Sequence, residues 1–252
     1  MKAVLLCAGY ATRLYPLTKD RPKPLLAVAD KAILEYIVDE LSTLDDIDSI
    51  YIVTNDKFAS HFESWKQAYS SPKTIEIVND NTASDETKLG AIGDIHFTLK
   101  AKETDDDVIV IAGDNIFDLR IRDFIDFARE HKETATIAAY DVKDKDLAKK
   151  YGLVKIDDSA KIIDFQEKPQ KPETTLASLG LYYYPRDMVK LIFQYVEEGN
   201  NADQPGNFVS WLSRKKDVFT YVFDGVWFDI GDFKSLEKAD LYFKGQNKED
   251  NK

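Results

Sequence analysis

The chain opens with the stretch KAVLLCAGYATRLYPLT at residues 2–18, and RPKPLL follows at residues 21–26. The run Lys2–Leu6 is apolar after its first residue, which predicts a short buried strand. Small residues after this run let the backbone turn tightly, and Ala32–Leu44 then carries apolar residues at helical spacing. A buried strand, a tight loop and a helix in this order indicate the first unit of an α/β sheet.

The same alternation continues through the first half of the chain. Further strands are predicted at Ile50–Thr54, Thr74–Val78, Val108–Ala112 and Thr134–Tyr140, and helices at Phe58–Tyr69, Leu89–Leu99 and Ile121–His131. Strands joined by helices pair in parallel through right-handed crossovers. We therefore predict an α/β fold with a Rossmann-like, mainly parallel sheet that is flanked by helices on both faces.

The pattern changes after about Asp144. Short strands at Gly152–Ile156, Ile162–Gln166 and Ser178–Tyr184 predict a small antiparallel β addition. The remaining elements are expected as helices at Met188–Glu197, Phe208–Arg214 and Phe233–Lys244, with a strand at Val218–Phe223. The polar tail Gly245–Lys252 is expected to fray.

Charge and cysteine content limit the partners of the chain. A net charge of −11 argues against broad nucleic-acid binding, which depends on neutralising phosphates, although a small anion would respond to local cations. The single cysteine, Cys7, cannot form an internal disulfide, so we expect a reducing, cytoplasmic setting. Arg13 interrupts the apolar start too early for a signal peptide or a membrane span, so no membrane partner is expected.

The opening loop has the chemistry of a phosphate site. Ala8 and Gly9 are small enough for a tight turn, whose exposed amide groups can point at phosphate oxygens. Arg13 and Lys23 add two cations at different points of the same region. Neither G-x-x-x-x-G-K nor G-x-G-x-x-G is present, so on these residues alone an ordinary surface loop remains open.

A candidate metal ligand follows a predicted strand. The sequence AGDN at residues 112–115 places Asp114 directly after Val108–Ala112. Ligands of open α/β sheets gather at the carboxyl ends of the strands, and Mg²⁺ prefers one or two carboxylates together with phosphate oxygens and water. Taken alone, Asp114 fits a turn equally well.

These stretches resemble the signature of the sugar-phosphate nucleotidyltransferases, the family of glucose-1-phosphate thymidylyl- and uridylyltransferases. The likeness extends from Lys2 to about Ala239. It implies the nucleotide-diphospho-sugar transferase-like fold and a reaction in which a nucleoside triphosphate and a sugar 1-phosphate give an NDP-sugar and pyrophosphate. It also implies that Ala8 and Gly9 contact the nucleotide, that Arg13 binds the departing pyrophosphate and that Lys23 binds the α-phosphate. Glycines usual in this loop are replaced by Ala8 and Ala11.

Three further motifs extend the resemblance. WFDIG at residues 227–231 looks like the family's Trp-x-Asp-x-Gly element, which makes Asp229 the second magnesium ligand beside Asp114. FQEKP at residues 165–169 resembles the acceptor-site Glu-Lys-Pro motif, in which Glu167 would accept hydrogen bonds from sugar hydroxyls and Lys168 would hold the acceptor phosphate. LGAIGD at residues 89–94 resembles the segment beside the nucleobase, where Gly90 would let the base approach the backbone.

Other positions complete the implied substrate contacts. By the same resemblance, Gly152 lets the sugar approach the backbone and Gly180 belongs to the wall of the acceptor pocket. Asn81 lies in the region where relatives place a residue that reads the base. The resemblance divides a single domain into a nucleotide-binding core at residues 1–143, an acceptor-binding part at 144–231 and a C-terminal helix and tail at 232–252.

The substrates and two alternative functions stay open. UTP, dTTP and CTP all fit the donor, and a phosphorylated sugar or alcohol fits the acceptor; the sequence is also compatible with a homodimer. A cytidylyltransferase acting on choline phosphate would require an aromatic cage for the quaternary ammonium, for which Tyr182, Tyr184 and Trp227 are candidates. A non-catalytic regulatory subunit that binds sugar nucleotides is disfavoured, because such a protein is expected to lose a metal carboxylate or a phosphate cation.

Overall fold

The computed structural model describes residues 1–249, and it describes side chains through residue 246. The strands are β1 (Lys2–Leu6), β2 (Ala27–Val28), β3 (Lys31–Ala32), β4 (Ser49–Thr54), β5 (Thr74–Asn79), β6 (Val108–Ala112), β7 (Asn115–Phe117), β8 (Ala135–Asp141), β9 (Gly152–Ile156), β10 (Ile162–Glu167), β11 (Leu176–Tyr184), β12 (Val218–Phe223) and β13 (Trp227–Asp229). The helices are α1 (Ile33–Ser42), α2 (Ala59–Ala68), α3 (Ala91–Ala101), α4 (Ile121–Glu130), α5 (Lys145–Ala148), α6 (Arg186–Glu197), α7 (Pro205–Ser213) and α8 (Phe233–Glu249).

The main sheet has the strand order β10-β9-β11-β6-β1-β4-β5, and β8 joins it by pairing with β11 and β12. Strands β6, β1, β4 and β5 are all parallel, as the βαβ alternation predicts. Strand β11 runs antiparallel to β6 and connects the antiparallel strands β9 and β10 to this parallel core. The predicted α/β class, with a mainly parallel sheet and a small antiparallel addition, is confirmed.

Strand β8 has different neighbours from those its sequence position predicts. It follows α4 like another parallel strand, yet it runs antiparallel to β11 and parallel to β12. Strand β11 shifts register between Ser178 and Tyr182, where Gly180 has a φ of 73°. A bulge with a left-handed glycine bends a strand, which here lets β11 lie against both β6 and β8.

Helices cover both faces of the sheet with apolar side chains. On one face α1, α2 and α4 pack Ile37, Leu41, Phe62 and Phe124 into one buried cluster. On the other face α3, α6 and α7 pack a second cluster that contains Ile92, Leu99, Ile192, Phe208 and Leu212. Successive side chains of β1 point to opposite faces of the sheet, so Leu5 belongs to the first cluster and Val4 to the second. Burial of this apolar surface from both sides stabilises the central sheet.

Several helix boundaries differ from the sequence-based prediction. Helix α7 begins at Pro205, because proline suits the first helical turn, where its missing N–H would have no partner. Helix α8 continues to Glu249, beyond the predicted end at Lys244, and the expected fraying of the tail stays a prediction; residues 250–252 lie outside the described part. Throughout residues 1–249, no helix combines the length and apolar character that crossing a bilayer requires.

Gly90 offers a direct test of the packing between α3 and residues 202–203. A Cβ at Gly90 would lie 2.5 Å from Asp203 Cα, and the backbone has φ 79° and ψ 166°, a region that only glycine occupies readily. Gly199 also has a positive φ of 74°, but nothing lies within 4 Å of its Cβ position. We expect Gly90→Ala to lower the free energy of unfolding by at least ~2 kcal/mol more than Gly199→Ala, as measured by urea denaturation. Equal losses would contradict this packing constraint.

Candidate active site

A cavity of about 890 Å³ lies at the carboxyl end of β6 and is bordered by β9–β11 and β13. Its lining includes seven of the residues singled out from the sequence: Arg13, Asp114, Gly152, Glu167, Lys168, Gly180 and Asp229. Lys23 does not line the cavity, but it donates a hydrogen bond to Asp114, which does. Ala8, Gly9, Asn81 and Gly90 do not line the cavity. The structure therefore brings together Arg13, both predicted metal ligands and the predicted acceptor residues.

The two predicted metal ligands are brought together by backbone pairing. Strand β7 begins one residue after Asp114 and pairs antiparallel with β13, so that Asn115 lies opposite Asp229. The N–H of Ile230 donates a hydrogen bond to the carbonyl oxygen of Asp114 at 3.1 Å. These contacts join parts of the chain that are more than a hundred residues apart. Strands of three residues carry too little periodicity to be predicted, so the sequence suggested a shared site but did not reveal the pairing that forms it.

A chain of hydrogen bonds fixes the Asp114 carboxylate. Its Oδ2 accepts from Lys23 Nζ at 2.5 Å, and its Oδ1 accepts from Asn115 Nδ2 at 2.9 Å. The Oδ1 of Asn115 in turn accepts from Trp227 Nε1 at 2.7 Å. Because every member has a partner, the carboxylate has a defined orientation toward the cavity. Asn115 and Trp227 therefore orient Asp114, a role that the sequence motifs did not predict.

Asp229 is in an environment that disfavours its charged form. Burial raises the pKa of its carboxyl, and the negative charge of Asp114 raises it further, while Lys23 and Arg13 act in the opposite direction. Two neighbouring carboxylates are the hard oxygen donors that Mg²⁺ prefers, together with phosphate oxygens and water. Among the residues that the structure describes, no three His, Cys, Asp or Glu side chains form a metal-binding group. Asp114 and Asp229 thus fit a magnesium ion that is shared with phosphate.

Arg13 reaches the cavity from the opening loop. Residues 12–14 form one 3₁₀ turn, and its N-cap residue Ala11 has a φ of 48°. The Ala11 carbonyl accepts from Thr18 Oγ1 at 2.7 Å, and the Ala8 carbonyl accepts from Asn55 Nδ2 at 2.8 Å, so the loop is anchored. A Cβ placed on Gly231 would lie 3.5 Å from an Arg13 guanidinium nitrogen and 3.7 Å from Asp229 Oδ2. The guanidinium therefore lies near Asp229.

Glu167 is enclosed by two glycines. A Cβ at Gly152 would lie 2.9 Å from Glu167 Oε2 and 2.7 Å from Phe165 Cζ, and a Cβ at Gly206 would overlap the same Glu167 oxygen. Gly152 therefore makes room for protein side chains, and its proposed contact with the sugar stays a prediction. Burial raises the pKa of the Glu167 carboxyl, and the adjacent Lys168 partly offsets this effect. Glu167 is held in a fixed place while its carboxylate still lines the cavity.

Gly90 and two of the three aromatic residues considered for a cage pack against other parts of the protein. The Cβ direction of Gly90 is filled by residues 202–203, so the protein itself requires this glycine. Tyr184 is fully buried and packs against Phe208, whereas Trp227 packs against Tyr140 and Tyr151. Of the three candidates for an aromatic cage, Tyr182 and Trp227 line the cavity and Tyr184 does not, so the three do not form a cage around it.

A buried pair of carboxyl groups lies beside α3. Asp80 and Asp94 are only 5% and 6% exposed, and Asp80 Oδ1 accepts from the backbone N–H and the hydroxyl of Thr82. Burial and the neighbouring Asp80 raise the pKa of Asp94 to about 8. Asp80 Oδ2 and Asp94 Oδ1 are buried without a partner, so a proton retained on Asp94 would let the two side chains satisfy each other. The only signal in the sequence was a carboxylate on an otherwise apolar helix face.

Asp94 should make stability depend on pH. Its folded pKa of about 8 exceeds the reference value of 3.8, so the folded state binds more protons than the unfolded state between these values. Stability contributed by this group is complete below about pH 4 and is lost as the pH rises toward 8. We expect Asp94→Asn to stabilise the protein at pH 8.5 by on the order of a few kcal/mol more than at pH 5. Thermal unfolding at both pH values measures this difference, with the exposed Asp158→Asn as the control; a pH-independent effect would contradict it.

Comparison with known proteins identifies the family of the chain. Residues 2–244 match the family model of the nucleotidyl transferases. The chain is 28% identical over 244 residues to the bifunctional protein GlmU of Methanocaldococcus jannaschii, covering 96% of this chain and 54% of that protein. It is 29% identical over 235 residues to a putative mannose-1-phosphate guanyltransferase of Sulfolobus acidocaldarius, covering 92% of this chain and 60% of that protein. The chain thus spans only a little over half the length of these relatives.

Solved structures show the same fold. A putative glucose-1-phosphate thymidylyltransferase from Bacillus anthracis superposes with a TM-score of 0.83 at 25% identity, covering 97% of this chain and 95% of that one. A UDP-glucose pyrophosphorylase superposes with a TM-score of 0.80 at 20% identity, covering 97% of this chain and 98% of that one. From the family match over residues 2–244, we conclude that the chain belongs to the nucleotidyl transferase family.

Proposed function

We propose that this protein is a magnesium-dependent nucleotidyltransferase that joins a nucleoside triphosphate to a sugar 1-phosphate, giving an NDP-sugar and pyrophosphate. The observation that carries this proposal is the convergence of Arg13, the Asp114–Asp229 pair and the Glu167–Lys168 pair on one cavity. The relatives named for guanylyl or thymidylyl transfer are named for mannose 1-phosphate and glucose 1-phosphate as acceptors, which supports a sugar phosphate here.

The proposed reaction is a single displacement at the α-phosphorus. A phosphate oxygen of the acceptor forms a new bond to this phosphorus, while the bond from the phosphorus to the oxygen bridging to the β-phosphate breaks. The electron pair leaves with pyrophosphate. The acceptor is already an anion, so no covalent enzyme intermediate is required, and catalysis consists of positioning and electrostatic stabilisation.

Each fixed charge has a role in this displacement. Arg13, beside Asp229, stabilises the negative charge that accumulates on the departing pyrophosphate. Lys23, whose side chain is 12% exposed, lies against Asp114 and provides positive charge next to the reacting phosphorus. Lys168 holds the acceptor phosphate, and Glu167 accepts hydrogen bonds from acceptor hydroxyls. Magnesium held by Asp114 and Asp229 would neutralise phosphate charge when it is bound.

The same proposal assigns parts of the chain. Residues 1–143 form the nucleotide-binding core, with Ala8, Gly9, Asn81 and Gly90 on the nucleotide side. Residues 144–231 form the acceptor-binding part, which includes Gly152 and Gly180, and residues 232–252 form the C-terminal helix and tail. The nucleobase, the acceptor sugar, the cytoplasmic location and the homodimer stay predictions.

A substrate panel tests the proposed function directly. Five nucleoside triphosphates are combined with several sugar 1-phosphates and with choline phosphate, and pyrophosphate release is measured with magnesium and after chelation. We expect magnesium-dependent release with at least one sugar 1-phosphate. Release with choline phosphate alone would favour the cytidylyltransferase alternative. Tight binding of sugar nucleotides with no release from any pair would favour a regulatory subunit, an alternative disfavoured by the retention of both carboxylates and of Arg13 and Lys23.

Glu167→Gln tests the acceptor role without creating a void between Gly152 and Gly206. Loss of the charge weakens hydrogen bonds from acceptor hydroxyls, and a hydrogen bond to a charged group is worth about 1.5–3 kcal/mol. We expect KM for the sugar phosphate to rise about tenfold or more, with unchanged affinity for the nucleotide. Glu173→Gln is the control, because Glu173 is an exposed carboxylate paired with Lys155. Equal weakening of both substrates would indicate general structural damage instead.

Asp114→Asn and Asp229→Asn test the metal pair. Each variant should lose magnesium-dependent turnover by at least about 100-fold, and the double variant should be little worse, because the two carboxylates act as one unit. Without magnesium, Asp229→Asn should unfold at the same temperature as the wild type or higher, since it removes a buried charge beside Asp114. Asp224→Asn, at an exposed position five residues earlier, is the matched control. If the loss of turnover in the double variant equalled the product of the two single losses, Asp114 and Asp229 would have independent roles.

A further inference from the structure

Gln204 lies between the two halves of the proposed active site. We infer that Gln204 is a positioning residue for Lys168, and that residues 202–206, here called the linking segment, couple the acceptor side of the cavity to the nucleotide side. The inference rests on the proposed function and adds a residue and a coupling that no motif identified. Gln204 lines the cavity, but neither the sequence patterns nor the family resemblance singled it out.

On the acceptor side, the linking segment determines where Lys168 and Glu167 lie. Lys168 Nζ is 3.4 Å from Gln204 Oε1 and 3.6 Å from Glu167 Oε1. The Lys168 side chain is 50% exposed, so without these contacts it would sample many rotamers, and restricting them costs conformational entropy. Gly206 contacts Glu167 directly, because a Cβ there would overlap Glu167 Oε2.

On the nucleotide side, the linking segment caps α3. The N–H groups of Ala91 and Ile92 donate to the carbonyl oxygens of Asp203 and Ala202 at 3.0 and 2.9 Å. These are first-turn amides, which have no partner within their own helix. The close approach requires the absence of a side chain at Gly90. A shift of the linking segment would therefore disturb the start of α3, next to the residues proposed to lie near the nucleobase.

Gln204 joins these two sets of contacts through its side-chain amide. Its Oε1 lies toward Lys168, and its Nε2 donates to Asp203 Oδ2 at 3.0 Å. Asp203 also pairs with Lys88 at 3.4 Å, just before α3. An ammonium group requires an acceptor and a carboxylate requires a donor, so the amide orientation is determined by its two neighbours. Lys88, Asp203, Gln204 and Lys168 are thus connected by a continuous series of polar side-chain contacts.

The side chain of Gln204 is not needed to form its own helix. Gln204 is the N-cap residue of α7, but its side chain makes no capping hydrogen bond. The backbone carbonyl of Gln204 accepts from Asn207 N–H at 3.1 Å, a contact that any residue can make. Removal of the side chain should therefore leave α7 in place. It would leave Lys168 with Glu167 as its near partner, and that ion pair would compete with the acceptor for both side chains.

Two substitutions separate the two contacts of Gln204. Gln204→Ala removes both contacts, so we expect KM for the sugar 1-phosphate to rise about five- to tenfold, kcat to fall, and nucleotide affinity without acceptor to stay within about twofold. Coupling means that a bound sugar 1-phosphate changes the affinity of the wild type for the nucleotide, and in Gln204→Ala this change should be lost. Gln204→Glu keeps an acceptor for Lys168 but repels Asp203, so it should largely restore the acceptor KM without restoring the coupling. Gln194→Ala, an exposed glutamine of α6 bonded to Glu198, is the control.

A measurement without substrates keeps this inference separate from the proposed function. Trace acylation of the free protein, read by mass spectrometry, compares the reactivity of Lys168 with that of the exposed Lys171 in the same loop. We expect Gln204→Ala to raise the reactivity of Lys168 severalfold while that of Lys171 is unchanged. Inactivity of the wild type with all substrates would refute the proposed function alone. Unchanged Lys168 reactivity in Gln204→Ala would overturn the positioning role of Gln204, whatever the activity, and unchanged coupling would overturn the role of the linking segment.

Discussion

The pairing of β7 with β13 is the constraint on which the site depends. It sets Asp229 opposite Asn115, and it holds Ile230 against the carbonyl of Asp114. The parallel sheet supplies one carboxylate at the end of β6, but only the return of the chain after β12 supplies the other. Arg13 then lies beside the returning segment. Three distant parts of the chain therefore meet at one point, and the fold of the second half is as necessary to the site as the fold of the first half.

Sequence reasoning succeeded where a segment carries its own pattern. The bounds of Lys2–Leu6, Val108–Ala112, Gly152–Ile156 and Val218–Phe223 agree with the structure, because each is a short apolar run between turn signals. Prediction from the sequence failed where pairing with a distant strand determines the structure. This holds for the three-residue strands β7 and β13 and for β8, which pairs with two strands. The residues that meet in the cavity could be proposed one by one, since motif positions identified Asp114, Asp229, Glu167 and Lys168. Their orienting neighbours Asn115 and Gln204 could not, because only tertiary contacts define them.

The space beside each glycine shows whether packing or a ligand explains why the residue is small. Gly90 and Gly152 belong to stretches that suggest close approach of a substrate, yet in both cases protein atoms fill the space that a Cβ would need. Gly9 is different, because nothing lies within 4 Å of its Cβ position. A glycine with open space beside it leaves room for a ligand, whereas a glycine against Asp203 or Glu167 is required by packing. Of Gly9, Gly90 and Gly152, only Gly9 therefore has open space in the direction of its Cβ position.

Charge is distributed in the way that a reaction between two anions requires. The protein carries a net charge of −11, which by itself would repel both proposed substrates. Around the cavity, however, Lys23 is bonded to one carboxylate, Arg13 lies beside the other and Lys168 is held by Glu167 and Gln204. Lys23 and Lys168 are thus placed by acceptors that the protein provides, so little reorganisation of these two cations is needed when phosphates arrive. Burial of the Asp229 carboxyl beside Asp114 disfavours two uncompensated negative charges there, and the magnesium of the proposed function would relieve this repulsion.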